Sequence, residues 1–108
     1  MPGERKSFLL YFDMYECIAA LPEEQRGMLM LALFEYAQAE SDGAGDKEAV
    51  LAAHPRMTPE TRMAFAFISE TLRRDAEKWR AKHLRYLEAA QKRSDQKRQE
   101  DDIWKYIQ

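Results

Sequence analysis

The chain holds one cysteine, two histidines, four glycines and four prolines. A lone cysteine, Cys17, excludes an internal disulfide, the usual staple of a small secreted domain. It sits among Ile18, Ala19 and Leu21, which reads as a small buried hydrophobe rather than a reactive thiol. No CxxC, His-x-x-x-His or Glu-x-x-His spacing occurs, so the zinc and di-iron patterns are missing. Gly43 and Gly45 lack a following Lys-Ser/Thr pair and a preceding strand, which excludes a P-loop type of phosphate cradle. The longest apolar run, Met28 to Phe34, is seven residues. Crossing a bilayer takes about 20. Met1-Pro2-Gly3-Glu4-Arg5-Lys6 does not open a secretory signal, because no apolar core or small-residue cleavage site follows. The expectation from these absences is a cytoplasmic, non-enzymatic protein with no metal, no cofactor, no catalytic residue and no membrane partner. His54 before Pro55 and His83 on a helix are read as packed or exposed without a ligand role.

What is present fits one domain. The 108 residues are 45% hydrophobic, enough for a core. The net charge of −2 conceals a split. Residues 1–72 carry 6 Lys and Arg against 12 Asp and Glu; residues 73–98 carry 10 against 4. Residues 99–108 hold one lysine and three acids. The expected layout is a compact acidic helical part at 1–72, a long helix at 59–98 whose basic arm begins at 73, and an acidic, aromatic tail at 99–108. Such asymmetry points to a polyanionic partner or to self-pairing.

Helical periodicity runs through most of the chain, and the fold class it predicts is all-α: a small helical domain with a long C-terminal helix. Ser7 to Phe12 is apolar without a clear period and reads as an extended entry or a first helical turn. Asp13, with Glu16 three residues on, predicts a capped helix over 13–20, with Met14, Cys17, Ile18 and Leu21 on its buried face. Pro22-Glu23-Glu24 starts a second helix to about Glu40. Residues 28–37 are apolar on nearly every side apart from Glu35, which predicts a central helix. Gly27 beside it either allows a close backbone approach or is simply tolerated in the helix. Ser41 to Asp46 reads as loop, and Lys47 to Ala53 as a short helix ended by His54-Pro55. Thr58-Pro59-Glu60 is the clearest helix start, and no glycine or proline follows it. The predicted helix runs to about Arg98, roughly 60 Å at 1.5 Å per residue. Ile103, Trp104 and Ile107 suggest a last amphipathic turn.

Along that long helix, Phe65, Ile68, Leu72, Ala76, Trp79, His83, Tyr86, Leu87 and Ala90 fall on one stripe about 100° wide. The stripe outruns a small domain. Trp79, Tyr86 and Leu87 are therefore candidate interface residues, covered by the rest of the chain or by a second copy in a dimer. Beside the stripe, Arg74, Lys78, Lys82, Arg85, Lys92 and Arg93 share an arc of about 100°. They are the candidate nucleic-acid-binding residues, because cations on one helix face can track phosphates. The alternative is a solubilising outer face.

Several segments together resemble a known domain: Ser7-Phe8-Leu9-Leu10-Tyr11, Leu21-Pro22-Glu23-Glu24-Gln25-Arg26-Gly27, Phe34-x-Tyr36, Met63-Ala64-Phe65-x-Phe67-Ile68 and Leu72-x-Arg74-Asp75-x-Glu77-Lys78-Trp79. The pattern resembles a small domain common in phage and prophage proteins of bacteria. In longer members that domain resembles the N-terminal part of phage replication (replisome-organiser, DnaD-like) proteins. The resemblance covers about residues 7–80. That family continues into a Gly-Lys-Lys-Gly-Gly-rich tail, whereas here Gln91 to Arg98 has no glycine. The resemblance implies a helical module that assists DNA replication or another nucleoprotein process, with nucleic acid or a replication protein as partner. It supplies no catalytic residues. A structural or oligomerisation module without a nucleic-acid role is the competing expectation.

Overall fold

The computed structural model describes residues 5–107, with side chains as far as residue 99. Every regular element among the described residues is helical. A 3₁₀ turn at Phe12–Met14 leads into α1 (Tyr15–Ala19), α2 (Glu23–Ser41), α3 (Lys47–Ala53) and α4 (Pro59–Ile107). The all-α class and the long C-terminal helix are as the periodicity predicts. The chain divides into two units, Met1–Ala76 and Glu77–Gln108, and the described residues of the second all belong to the later part of α4.

The first unit is built around α2. Leu29, Ala32, Leu33, Tyr36 and Ala37 recur on one face of that helix and are all buried. They meet Met14 from the 3₁₀ turn, Leu21 from the link between α1 and α2, Val50 from α3, and Ala64, Phe65, Ile68 and Leu72 from α4. The Tyr36 and Phe65 rings meet edge to face, centroids 6.0 Å apart, a geometry that suits the ring quadrupoles. Fully burying a side chain of this size contributes roughly 1.5–3 kcal/mol relative to exposure.

α2 is central but not enclosed. Leu31 is 60% exposed and Phe34 49%. The run at 28–37 takes the central place its composition predicts, but one face carries most of the burial, while Leu31 and Phe34 lie on the other. Phe8, from the extended segment before the 3₁₀ turn, packs edge to face on Phe34 at 5.0 Å. Gly27 is the tolerated glycine of its two readings. A Cβ there would meet nothing within 4 Å, so no backbone presses against it.

The helix ends follow local chemistry. Asp13 is not an N-cap, since it lies inside the 3₁₀ turn that Tyr11 precedes. The turn closes through Met14 N–H donating to the Tyr11 carbonyl, so the predicted cap has no helix end to serve. Pro22 occupies the cap position of α2 rather than its first turn. α2 terminates in a Schellman motif: Ala44 N–H bonds the Ala39 carbonyl and Gly43 N–H that of Glu40. Gly43 has φ +77°, a conformation that favours glycine. Asp46 caps α3 through its carboxylate, which accepts from the Glu48 and Ala49 amides. The start of α4 is as predicted. Thr58 Oγ1 accepts the Thr61 amide at 3.4 Å, just before Pro59.

A polar knot fastens that start to α2. Gln25 and Thr61 are buried. Gln25 Oε1 accepts the Thr58 amide at 3.0 Å and the Thr61 hydroxyl at 2.7 Å. Its Nε2 donates to the Arg56 carbonyl at 3.1 Å. Three of the four hydrogen bonds open to this side-chain amide are formed, in keeping with its burial. The C-terminal end of α4 passes the predicted stop near Arg98 and reaches Ile107, with neither glycine nor proline to break it. The side chains of the tail at 100–108, Ile103, Trp104 and Ile107 included, lie outside the described residues.

Candidate functional site

The candidate cations all stand on α4, and each is exposed. Arg74 belongs to the first unit, where its Nε approaches Glu70 Oε1 at 3.6 Å. Lys78, Lys82, Arg85, Lys92 and Arg93 belong to the second. Helical spacing holds Lys78, Lys82 and Arg85 on one face, and Lys92 and Arg93 return to it two turns later. Among the described residues none of these five is held in an ion pair, so their charge is available to a ligand.

Beside them runs an aromatic ladder. Trp79 and His83 stack with centroids 4.9 Å apart and planes 8° from parallel. His83 and Tyr86 follow at 6.5 Å and 20°. Steps of four and three residues put the rings one above another, since helical side chains lean toward the N-terminus. Trp79 and His83 are half-buried, and Tyr86 is exposed. His83 Nε2 is buried with no hydrogen-bond partner among the described residues. Of the three candidate interface residues, Tyr86 and Leu87 are thus open in the single chain, while Trp79 is partly covered. Leu84, also exposed, was missed. It lies about 100° off the apolar stripe, so a search for one continuous stripe passes over it.

The first unit holds other groupings of polar chemistry. Glu70 accepts from Lys47 at 2.9 Å and from Arg73 at 2.6 Å. The Arg73 hydrogen bonds, then that of Lys47, draw its carboxyl down to about 2. Buried Glu40 accepts from the Tyr36 hydroxyl at 3.2 Å. Burial, then the Glu40 charge, pushes the Tyr36 phenol up to about 12. The Lys47–Glu70 pair joins α3 to α4, while the Arg73–Glu70 and Tyr36–Glu40 pairs lie within α4 and α2. His54 Nε2 lies 2.8 Å from Glu35 Oε2, a pairing across α2 and the end of α3 that its loop position did not signal. Tyr11 donates to Asp75 at 2.5 Å, and that bond raises the phenol's pKa. Cys17 is half-buried rather than buried, because α1 lies at the edge of the core, and its thiol donates to the Met14 carbonyl at 3.1 Å.

A cavity of about 480 Å³ opens between the extended segment at 5–10 and α2, with Phe8, Leu10, Phe34 and Ala37 among its apolar lining and Arg5, Lys6 and Gln38 among its polar one. No signal in the sequence marks it, because its walls come from an aperiodic segment and the uncovered face of α2. Among the described residues no three His, Cys, Asp or Glu side chains group as metal ligands. No helix among them is long and apolar enough to cross a membrane.

No curated protein and no solved structure matches the chain. A family model described as a family of unknown function (DUF6291) matches residues 7–98, most of the chain, and the protein belongs to that family.

Proposed function

We propose that this protein is a non-enzymatic helical module of phage or prophage type, which assists DNA replication or another nucleoprotein process by holding nucleic acid through the basic face of α4. The observation that carries the reading is the exposure of Lys78, Lys82, Arg85, Lys92 and Arg93 on one helix with no ion-pair partner among the described residues. Cations so placed displace counterions from a phosphate backbone. They contact phosphates without reading sequence, since base recognition needs side chains held in register against a groove edge. The acidic residues at 1–72 repel the same polyanion and leave α4 as the attractive element. The phage and replication context rests on the residue pattern described above.

Fluorescence anisotropy with short DNA checks this, at low and at physiological salt. Wild type should bind weakly, with little sequence preference and a steep loss on adding salt. Lys78→Glu/Lys82→Glu/Arg85→Glu should abolish the signal. No binding by wild type at low salt ends the reading. The second reading, an oligomerisation module, draws on Leu84, Tyr86 and Leu87, which are 56%, 68% and 49% exposed. Light scattering that gives twice the monomer mass, in a protein that ignores DNA, selects it.

A further inference from the structure

We infer that the nucleic acid held by α4 is single-stranded, and that Tyr86 provides a stacking platform for one of its bases. The inference rests on the function proposed above and adds the class of ligand.

The second unit places rings and cations on adjoining lines of one helix. The ladder Trp79–His83–Tyr86 is closed at its N-terminal side, where each ring stacks on the one before. It is open at the other end. Tyr86 leans toward His83, so its opposite face looks toward the next turn. The positions three and four residues on are Ala89 and Ala90, which carry only methyl groups. The next large side chain near that line is Arg93, about 10 Å further along the axis at seven residues and 1.5 Å each. Lys82 stands one turn before Tyr86 on the same border. An aromatic ring 68% exposed thus lies between two cations, with a small-residue gap above it. A base seated on Tyr86 would have its flanking phosphates within the reach of Lys82 and Arg93.

This geometry favours an unpaired strand over a duplex. Bases in a duplex are stacked on their neighbours and offer only edges to a helix in a groove. A single strand exposes π-faces, and proteins that hold it combine a cationic track with stacking rings. The ladder also pre-orders Tyr86. With its near face already packed on His83, the ring loses little freedom when a base arrives. The charge on either side makes a nucleic acid a better occupant of this ring than a second copy of α4, which would bring like charges together.

The test compares a fluorophore-labelled single strand with a labelled duplex of the same sequence by anisotropy, using wild type, Tyr86→Ala, Tyr86→Phe and Ala90→Leu. Circular dichroism first confirms that each variant keeps its helix. Wild type should prefer the single strand. Tyr86→Ala should weaken single-strand binding about tenfold and leave duplex binding within about twofold. Tyr86→Phe should keep the affinity, and Ala90→Leu should reduce it by filling the gap. Equal effects of Tyr86→Ala on strand and duplex, or none on either, overturn the stacking platform while the phosphate contact stands. A wild type that binds neither DNA overturns both. A Tyr86→Ala variant that changes only the self-association seen by light scattering assigns the face to a second copy and overturns the inference as well.

Discussion

The same apolar stripe of α4 passes through both units and meets two different fates. In the first unit Phe65 and Ile68 have no exposure, and Leu72 and Ala76 only 2%. In the second, Tyr86 is 68% exposed and Leu87 49%. The local pattern is alike in the two places. What differs is what the fold sets against it: α2 presents Tyr36, which meets Phe65 edge to face. Periodicity reports which face of a helix is apolar. Whether that face is covered depends on elements distant in sequence, and those are absent from any local pattern.

The largest effect expected from this contrast lies at Phe65. Phe65→Ala removes a fully buried ring from the meeting of α2 and α4, and should destabilise by about 3–5 kcal/mol. A domain of this size has only about 5–15 kcal/mol in all. Urea unfolding followed by circular dichroism should show a midpoint sharply lowered, or no folded baseline. A shift under about 1 kcal/mol would mean that the core drawn around α2 is wrong.

Gln25 comes next. Gln25→Ala strips the buried Thr61 hydroxyl and the Thr58 amide of their shared acceptor. A buried polar group left unsatisfied costs about 1–3 kcal/mol. Gln25→Glu is a harsher variant, because it loses the donor to Arg56 and sets a buried carboxylate against that carbonyl oxygen. It should destabilise at least as much as alanine at neutral pH, and the same unfolding titration measures it.

Much of this architecture was legible in the residues, for identifiable reasons. Thr58-Pro59-Glu60 marks the start of α4 because capping is local chemistry, and Lys47 to Ala53 forms the predicted helix with Asp46 as its cap. Gln25 gave no such signal. A glutamine in an amphipathic helix reads as surface, and only the arrival of Thr58 and Thr61 from 33 and 36 residues away makes it a buried anchor. The same limit hid the pairing of His54 with Glu35. At the candidate site the cations and rings were named from spacing alone, since all stand on one helix. The stacking order of Trp79, His83 and Tyr86 was not read, although their i, i+4, i+7 spacing allows it.

Two titrations bear on the first unit. Glu70 has its carboxyl lowered to about 2 by Arg73 and Lys47. A depressed carboxylate lends stability above its ordinary value near 4.5, and that is lost as pH falls toward 2. Tyr36 shifts the other way, to about 12. Its contribution is complete below pH 10 and is lost as pH rises through 12, because the folded chain resists forming the phenolate. Melting temperature against pH should therefore fall at both ends. Glu70→Gln should flatten the acid limb and Tyr36→Phe the alkaline one. An alkaline limb unchanged in Tyr36→Phe would remove Tyr36 as its source.

The smallest effect is expected at Leu87, and it tests the other half of the comparison. Glutamine matches leucine closely in helix propensity, so Leu87→Gln changes the side chain's polarity while leaving the backbone's preference nearly intact. A residue 49% exposed on a single chain should then shift stability by no more than about 0.5 kcal/mol. That value should hold at every protein concentration if α4 leaves this face open. Should a second copy cover Leu87, the wild-type midpoint will rise with concentration, because association favours the folded state by mass action. The variant will then lose about 1–3 kcal/mol at high concentration and nothing at low. Unfolding curves of both proteins over a hundredfold range of concentration separate the two cases. Parallel curves leave the second unit's stripe uncovered, as its exposure indicates; diverging ones make it an interface, and the contrast between the two units becomes one between a partner within the chain and a partner outside it.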